Sequence, residues 1–498
     1  MKRDIERFKQ GFYDVLVIGG GINGAAIAHM AALNGLKVAL LEKDDFASGT
    51  SSKSTKIVHG GLRYLENFEF GLVREALSER HRQLESAPHL VKPLGFIIPV
   101  YKGDKRPFWL MRFGVFLYDL LSGKRRINKR RLLTKQEIFH FSPDIKKDNL
   151  VGGVMYYDAQ MDDARLVLEN VLSASEKGAH VANYVEAKAF IKKNGKAVGV
   201  MAYDRLADKT FEVHAQKIVC AVGPWTDIFI AKERSEAPQQ VRTTKGVHIV
   251  YRKVFCDHAL LIPAQNDGRV IFIIPWRGHS LIGTTDTDYD GSADSVQVGE
   301  ADVEYLFREA RRFFPEENFS KEHIITAFAG LRPLSFKAGA PSKVSRRHAI
   351  KEFYSGVIYA IGGKYTTYRK IAEDVLRLVT KKELVETKQG YCLYGSGKIL
   401  ERPEEIAQEH HLDSDIITEL LDMYGVRYKD VLKLAAEDKK FKRRLYPGSK
   451  RIDAQIVYAK DVEMARTVED VIERRLGLIY EDTDPKNYMR KIKDYMAG

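Results

Sequence analysis

Residues 14–18 form a short β-branched apolar run, and residues 25–34 are small and apolar, with Ala25, Ala28 and Ala32 at helical spacing. A glycine-rich turn, 19–24, separates the two runs. A second apolar run, 37–41, follows Gly35 and closes on Glu42. The pattern predicts strand, glycine turn, helix and strand. Further on, residues 70–87 repeat with a helical period and end between Pro88 and Pro93; 94–100 reads as a strand and 108–121 as a helix. Residues 162–178 predict an amphipathic helix with an acidic start and a glycine stop. The segments 179–186, 188–192, 197–204 and 210–214 alternate like antiparallel strands, and 217–222 reads as a buried strand ending at Gly223. A polar loop at 231–240 leads into a strand-rich region over 241–290. A helix at 300–314 and strands at 324–331 and 356–361 come next. The last strand runs through Gly362 and Gly363 into a helix at 367–380. From about residue 385 the chain reads as charged and helical, including 463–477.

The first glycine turn has the spacing G-x-G-x-x-G at Gly19, Gly21 and Gly24. Gly19 suits a tight strand-to-helix turn, Gly21 a close backbone approach to a pyrophosphate, and Gly24 a helix lying close on its strand. The N-terminus of the following helix, at Ile22 and Asn23, favours phosphate charge. Glu42, in place for a ribose hydroxyl pair, argues against a 2′-phosphate. Residues 43–55, with Lys43, Thr50, Ser51 and Ser52, form a polar loop offering donors beside the dinucleotide. Gly60 and Gly61, within an apolar context, suggest close backbone approach to a ligand.

A second strand–glycine–helix element at 356–367 carries Gly363, Lys364 and Thr366, and the strand at 217–222 brings Ala221 and Gly223. Elements this far apart that return to one sheet fit FAD, a long cofactor spanning the sheet, better than NAD. The predicted fold is α/β (α+β): a discontinuous Rossmann-like FAD-binding domain over 1–90, 150–230 and 330–385, an inserted antiparallel-sheet substrate-binding domain over 91–149 and 231–329, and a C-terminal helical domain over 386–498.

Composition narrows this picture. The 498 residues are 44% hydrophobic and 30% charged, enough for a large core. Net charge is +13, which points to nucleic acid, an anionic membrane or an anionic substrate. No nucleic-acid-binding module is visible, so nucleic acid is excluded from the expected partners. Cysteines at 220, 256 and 392 offer neither a disulfide framework nor metal spacing, so no metal site is expected and a reducing cytoplasmic setting fits. No secretory signal is visible, and the apolar stretch 108–121 is too short for a bilayer, which takes about 20 residues.

Several stretches then carry a specific resemblance: TSSKSTKIVHGGLRYL (50–65), MDDARLVLENV (161–171), TTKGVHIV (243–250), LIGTTDTDY (281–289), AGLRPL (329–334), GGKYTTYRKIAED (362–374) and EMARTVEDVIERRLG (463–477). Together they resemble the FAD-dependent, aerobic, quinone-linked sn-glycerol-3-phosphate dehydrogenase family over nearly the whole chain. The resemblance implies oxidation of glycerol 3-phosphate to dihydroxyacetone phosphate, with hydride passing from C2 to flavin N5 and electrons going on to a membrane quinone. It implies Arg63, Arg332 and Arg346 around the substrate, where arginine's planar fork suits a phosphate.

Lys364 suits negative charge on the reduced flavin or the substrate oxygen. His59 is the first choice for the base, because imidazole titrates near neutrality, and His248 is the second. Tyr64 is expected to bond the substrate or orient His59. Since a quinone is lipid-soluble, the enzyme is expected at the inner face of the cell membrane. Residues 108–121, followed by Lys124, Arg125, Arg126, Lys129, Arg130 and Arg131, are the candidate peripheral anchor. A homodimer also belongs to the expected partners. The competing functions are an oxidase handing electrons to oxygen, an amine-oxidising relative, and a non-catalytic flavin scaffold.

Overall fold

A computed structural model of the chain describes every residue except 235, 266–268, 337–346, 381–383, 385–389 and 498. Two sheets organise it. The first runs in the order Ala349–Glu352, Ile358–Ile361, Lys209–Cys220, Phe12–Ile18, Val38–Leu41 and His180–Ala182. Its central pairings are parallel. Val15 and Val17 point to one face, against helices Ile22–Leu33, Asp163–Glu176 and Tyr368–Thr380; Leu16 and Ile18 point to the other. Both faces are covered, so the strands read as unbroken apolar runs rather than alternating ones.

The antiparallel reading of 179–214 holds for Val185–Lys193, Lys196–Asp204 and the start of Lys209–Cys220. It fails for His180–Ala182, which instead pairs in parallel with Val38–Leu41. Tyr184, at φ 56°, turns the chain between the two uses. The helix Thr226–Glu233 reaches into the stretch expected as a loop from 231.

The second sheet follows the order Thr287–Asp288, Val241–Tyr251, His279–Gly283, Val270–Trp276, Ala259–Pro263, Val91–Tyr101, Leu150–Met161 and Ile57–Val58. Ile324–Ser335 joins it on Val241–Tyr251 and Arg131–Leu133 on Leu150–Met161. It is antiparallel except where Ala259–Pro263 meets Val91–Tyr101. Leu150–Met161 therefore pairs within this sheet, although its sequence position lies in a segment expected for the FAD-binding domain. Its register with Val91–Tyr101 runs from Val91–Met161 to Tyr101–Leu150, an extent that no local pattern reveals. Helix Glu300–Arg311 covers one face of the sheet. The other face meets the helices Phe70–Ser86 and Phe108–Ser122.

The C-terminal helices have a core of their own, and they are tied to the first sheet by a buried ionic cluster. Asp45 accepts hydrogen bonds from Arg474 Nε and Arg475 Nη1 at 2.7 Å each, and from Asn183 Nδ2 at 2.9 Å. Arg474 also binds Asp470 at 2.8 Å. Asp470–Arg475 is a wide π turn rather than part of the regular helix expected over 463–477. It lets two consecutive arginines reach one carboxylate. Burial pushes the Asp45 carboxyl up, but the Arg475 and Arg474 charges outweigh it and hold it down at about 2. A lowered carboxyl stabilises the fold above its ordinary value and loses that contribution as the pH falls from 3.8 towards 2. Asp45→Asn leaves the buried Arg475 guanidinium without its carboxylate and Arg474 with Asp470 and Glu473, and is expected to cost about 3–5 kcal/mol, read by denaturant unfolding at pH 7. The gap between variant and wild type should close below pH 3.8.

Candidate active site and cofactor cleft

The parallel trio Ile358–Ile361, Lys209–Cys220 and Phe12–Ile18 brings three distant glycine turns to one edge of the first sheet. They open into a cavity of about 1150 Å³ that runs between the two sheets. Gly19, at φ 106°, lies so close to the neighbouring strand end that a Cβ would fall 2.6 Å from the Ala221 carbonyl oxygen. A Cβ on Gly24 would fall 1.8 Å from the Gly19 oxygen, so the helix Ile22–Leu33 lies directly on its turn. Ile22 N–H donates to Ser51 Oγ at 3.0 Å, holding the polar loop over the helix start. Thr50 Oγ1 donates to the Leu331 carbonyl at 2.6 Å, tying the same loop to the second sheet.

These residues fit a dinucleotide. Asn23 Oδ1 is buried in the cavity wall with no hydrogen-bond partner, a polar atom left for a ligand. Glu42 caps its strand, accepting from Gly20 N–H at 2.6 Å and Asp44 N–H at 2.9 Å. Burial pushes its carboxyl up to about 7, more than those amides lower it. Gly19, Gly21, Ile22, Asn23, Glu42, Lys43, Thr50, Ser51, Ala221, Gly223, Gly363, Lys364 and Thr366 all line the cavity. Ser52, Gly24 and Gly60 do not. Ser52 lends its carbonyl to Lys56 Nζ at 2.6 Å. Gly60 is buried, and the side on which a Cβ would stand presses on the Tyr118 hydroxyl and Leu77.

Of the residues expected to handle substrate, His59, Arg63, Tyr64, Arg332 and Lys364 come together on the cavity wall. Arg346 lies outside the described residues. Lys364 Nζ sits 3.7 Å from the centre of the Tyr64 ring, a cation–π contact that holds the ammonium beside the Gly61 turn. His59 is braced through its backbone, whose N–H donates to Thr366 Oγ1 at 3.3 Å. Arg332 donates to Asp286 Oδ1 at 3.1 Å, Thr284 Oγ1 at 2.7 Å and the Thr285 carbonyl at 3.2 Å, which fixes the plane of its fork.

His248 also lines the cavity. Its Nε2 is 3.0 Å from Thr55 Oγ1, and its ring stacks on Phe328. Burial first, then the Arg332 and Lys56 charges, drive its pKa well below the ordinary value, so it is neutral at physiological pH. Sequence reasoning passed over Asp286, Thr284 and Thr55, whose roles arise only from strand register. It also passed over the buried pair Lys56–Asp163, at 2.5 Å, which secures the polar loop.

Residues 14–369 match the family described as FAD dependent oxidoreductase, and residues 387–498 match the C-terminal domain of alpha-glycerophosphate oxidase. An aerobic glycerol-3-phosphate dehydrogenase of Staphylococcus aureus is 35% identical over 97% of this chain and 90% of its own. The chain belongs to the FAD-dependent glycerol-3-phosphate dehydrogenase family. The glycerol-3-phosphate dehydrogenase of Bacillus halodurans, solved with FAD, superposes with a TM-score of 0.81 at 30% identity, covering 99% of this chain and 92% of that one. An L-alpha-glycerophosphate oxidase from Mycoplasma pneumoniae, solved with FAD bound, shares the fold at a TM-score of 0.59 and 17% identity, covering 77% of this chain and 99% of its own.

As a member of this family the protein uses FAD, and a ribose held on Glu42 would make the binding pH-dependent. An ionised Glu42 would accept both ribose hydroxyl bonds, which a protonated one would not. FAD uptake by the apoprotein should therefore weaken by up to about tenfold per pH unit below about 7, followed by flavin fluorescence, and Glu42→Gln should flatten the dependence. For the fold without FAD the sign is opposite. Burying the ionised carboxylate costs stability, and that cost enters as the pH rises from 4.5 to about 7.

Proposed function

We propose that the protein oxidises sn-glycerol 3-phosphate to dihydroxyacetone phosphate and passes the electrons to a membrane quinone. The observation that carries the substrate is that three cations, Arg332, Lys364 and Arg63, line the same cleft, Arg332 and Lys364 each oriented by its own contacts. A small phosphorylated alcohol needs that charge and little apolar surface. Bound FAD supplies the two-electron acceptor for the hydride leaving C2. Arg332, its fork fixed by Asp286 and Thr284, suits two phosphate oxygens. Lys364 faces negative charge that develops as the hydroxyl ionises. His59 takes the C2 hydroxyl proton, and the C2–O bond becomes a carbonyl as the C–H bond breaks. His248, neutral, buried and hydrogen-bonded to Thr55, is the second candidate for the base.

The test is anaerobic titration of the yellow protein with glycerol 3-phosphate. Wild type should bleach stoichiometrically. Arg332→Lys keeps the charge but loses the fork, and should need about 10- to 100-fold more substrate per unit rate, about 1.4–2.8 kcal/mol in kcat/KM. A protein that holds FAD but stays yellow would refute the substrate.

A lipid-soluble acceptor is supported by helix Phe108–Ser122. Its outer side exposes Trp109 (68%) and Leu120 (63%), while Met111, Phe113 and Leu117 line the cavity, Phe113 remaining 57% exposed at its mouth. Arg126 and Arg130 fold back onto Asp119 at 3.1 and 3.4 Å, and Arg130 covers the Phe116 ring. Among the described residues no helix is long and apolar enough to cross a membrane. An apolar face beside basic residues fits a helix lying in the interface of an anionic leaflet, at the inner face of the cell membrane. Replacing Lys124, Arg125, Lys129 and Arg130 by Ser should reduce sedimentation with anionic vesicles and leave the rate with a soluble dye unchanged; equal sedimentation would refute this face. The oxidase reading predicts one peroxide per substrate under air, and the quinone reading little.

A further inference from the structure

Helix Phe108–Ser122 has an inner side that reaches the substrate loop. Tyr118 is fully buried, and its hydroxyl oxygen accepts from the Gly60 N–H at 2.8 Å. The same hydroxyl donates to the Asp158 carboxylate, 2.8 Å from either oxygen. Asp158 is held in turn by Arg80 Nη1 at 2.6 Å, and the same Nη1 binds the Tyr157 carbonyl at 2.9 Å. Arg80 Nη2 donates to the Arg125 carbonyl at 3.0 Å. The triad thus joins both helices of the second sheet's outer face to the strand Leu150–Met161. Burial first, then Asp158, pushes the Tyr118 phenol well above its ordinary range, so it stays a donor.

The chain makes unusual room for this contact. A Cβ on Gly60 would fall 2.5 Å from Tyr118 Oη and 2.6 Å from Leu77 Cδ2, so only glycine lets the backbone press on the phenol. Gly61 follows in the left-handed region at φ 83°. His59 precedes the pair, and Arg63 and Tyr64 follow on the same turn. The amide of Gly60 is therefore the fixed point from which those three side chains enter the cavity. Leu77 fills the space beside the glycine, while the directional bond to Tyr118, with a longer one from the same amide to Asp158 Oδ1 at 3.4 Å, sets where the loop stops.

We infer that Tyr118, backed by Asp158 and Arg80, is a positioning residue that sets the reach of His59 and Tyr64 by anchoring the Gly60 amide. The inference rests on the reading that this loop handles the substrate. Displacing a base by a fraction of an ångström slows the proton and hydride step more than it weakens binding, which rests on Arg332 in another element.

Tyr118→Phe keeps the ring and removes only the oxygen. Measured on the FAD-loaded enzyme with a soluble dye, kcat should fall at least about tenfold, with KM for glycerol 3-phosphate within about threefold. The kinetic isotope effect with substrate deuterated at C2 should rise, because the chemical step becomes slower. Leu77→Ala empties the packing under the same glycine without touching the hydrogen bond, and controls for destabilisation; its kcat should stay near wild type. A Tyr118→Phe enzyme with wild-type kcat and isotope effect, or a Leu77→Ala enzyme equally slow, would overturn the inference. A wild type that does not oxidise glycerol 3-phosphate would instead sink the proposed function, a distinct result.

Discussion

The backbone contact between Gly19 and Ala221 is the constraint on which the rest depends. It records how closely Phe12–Ile18 and Lys209–Cys220 run in parallel, paired from Phe12–His214 to Ile18–Cys220. Because the pairing is parallel, the ends of both strands, and that of Ile358–Ile361, fall on one edge. Every glycine turn that meets the cofactor inherits its place from that edge. The second sheet can then contribute Arg332 and His248 from a different direction, because the turn at 43–55 bridges the two sheets through Thr50 and Thr55.

The same logic shows which parts of the molecule were legible in the sequence. Gly19, Gly21, Gly24 and Glu42 act within one βαβ unit, where spacing fixes geometry, so the cavity positions of Gly19, Gly21 and Glu42, and the close seat of the helix at Gly24, followed from the string alone. The parallel pairing of His180–Ala182 was not legible, because its partner lies some 140 residues earlier in the sequence and its neighbours are antiparallel. Gly60 was legible as a place of close approach but not as to what approaches. The Tyr118 ring that meets it comes from a helix that the sequence marked only as apolar. The anchor stretch was read from six basic residues; three of them, Arg126, Arg130 and Arg131, turn to Asp119 and Glu137, a pairing that only the folded turn reveals.

Buried charge in this protein appears where two parts of the chain must keep a fixed relation. Asp45 with Arg474 and Arg475 fixes the C-terminal helices to the loop after Glu42. Lys56 with Asp163 fixes the polar loop to helix Asp163–Glu176. Arg80 with Asp158 fixes helix Phe70–Ser86 to the second sheet. Each pair bears a desolvation cost that an apolar contact would avoid, and each carries further hydrogen bonds that offset it. An apolar contact tolerates sliding, whereas a paired and hydrogen-bonded charge does not.

The contrast with the cations proposed to hold the substrate follows from the same principle. Arg332 keeps its carboxylate partner at 3.1 Å on one side and hydroxyl and carbonyl partners on the other, so it is oriented without being enclosed. Asp286 and Asp158 thus do opposite work with the same chemistry. Asp286 lines the cavity and orients the guanidinium proposed to bind a dianion. Asp158 sits behind the cavity wall and holds a backbone amide both through Tyr118 and directly, at 3.4 Å. A reaction that must hold a charged substrate loosely enough to release it, and place a base tightly enough to reach it, needs both arrangements within one cleft.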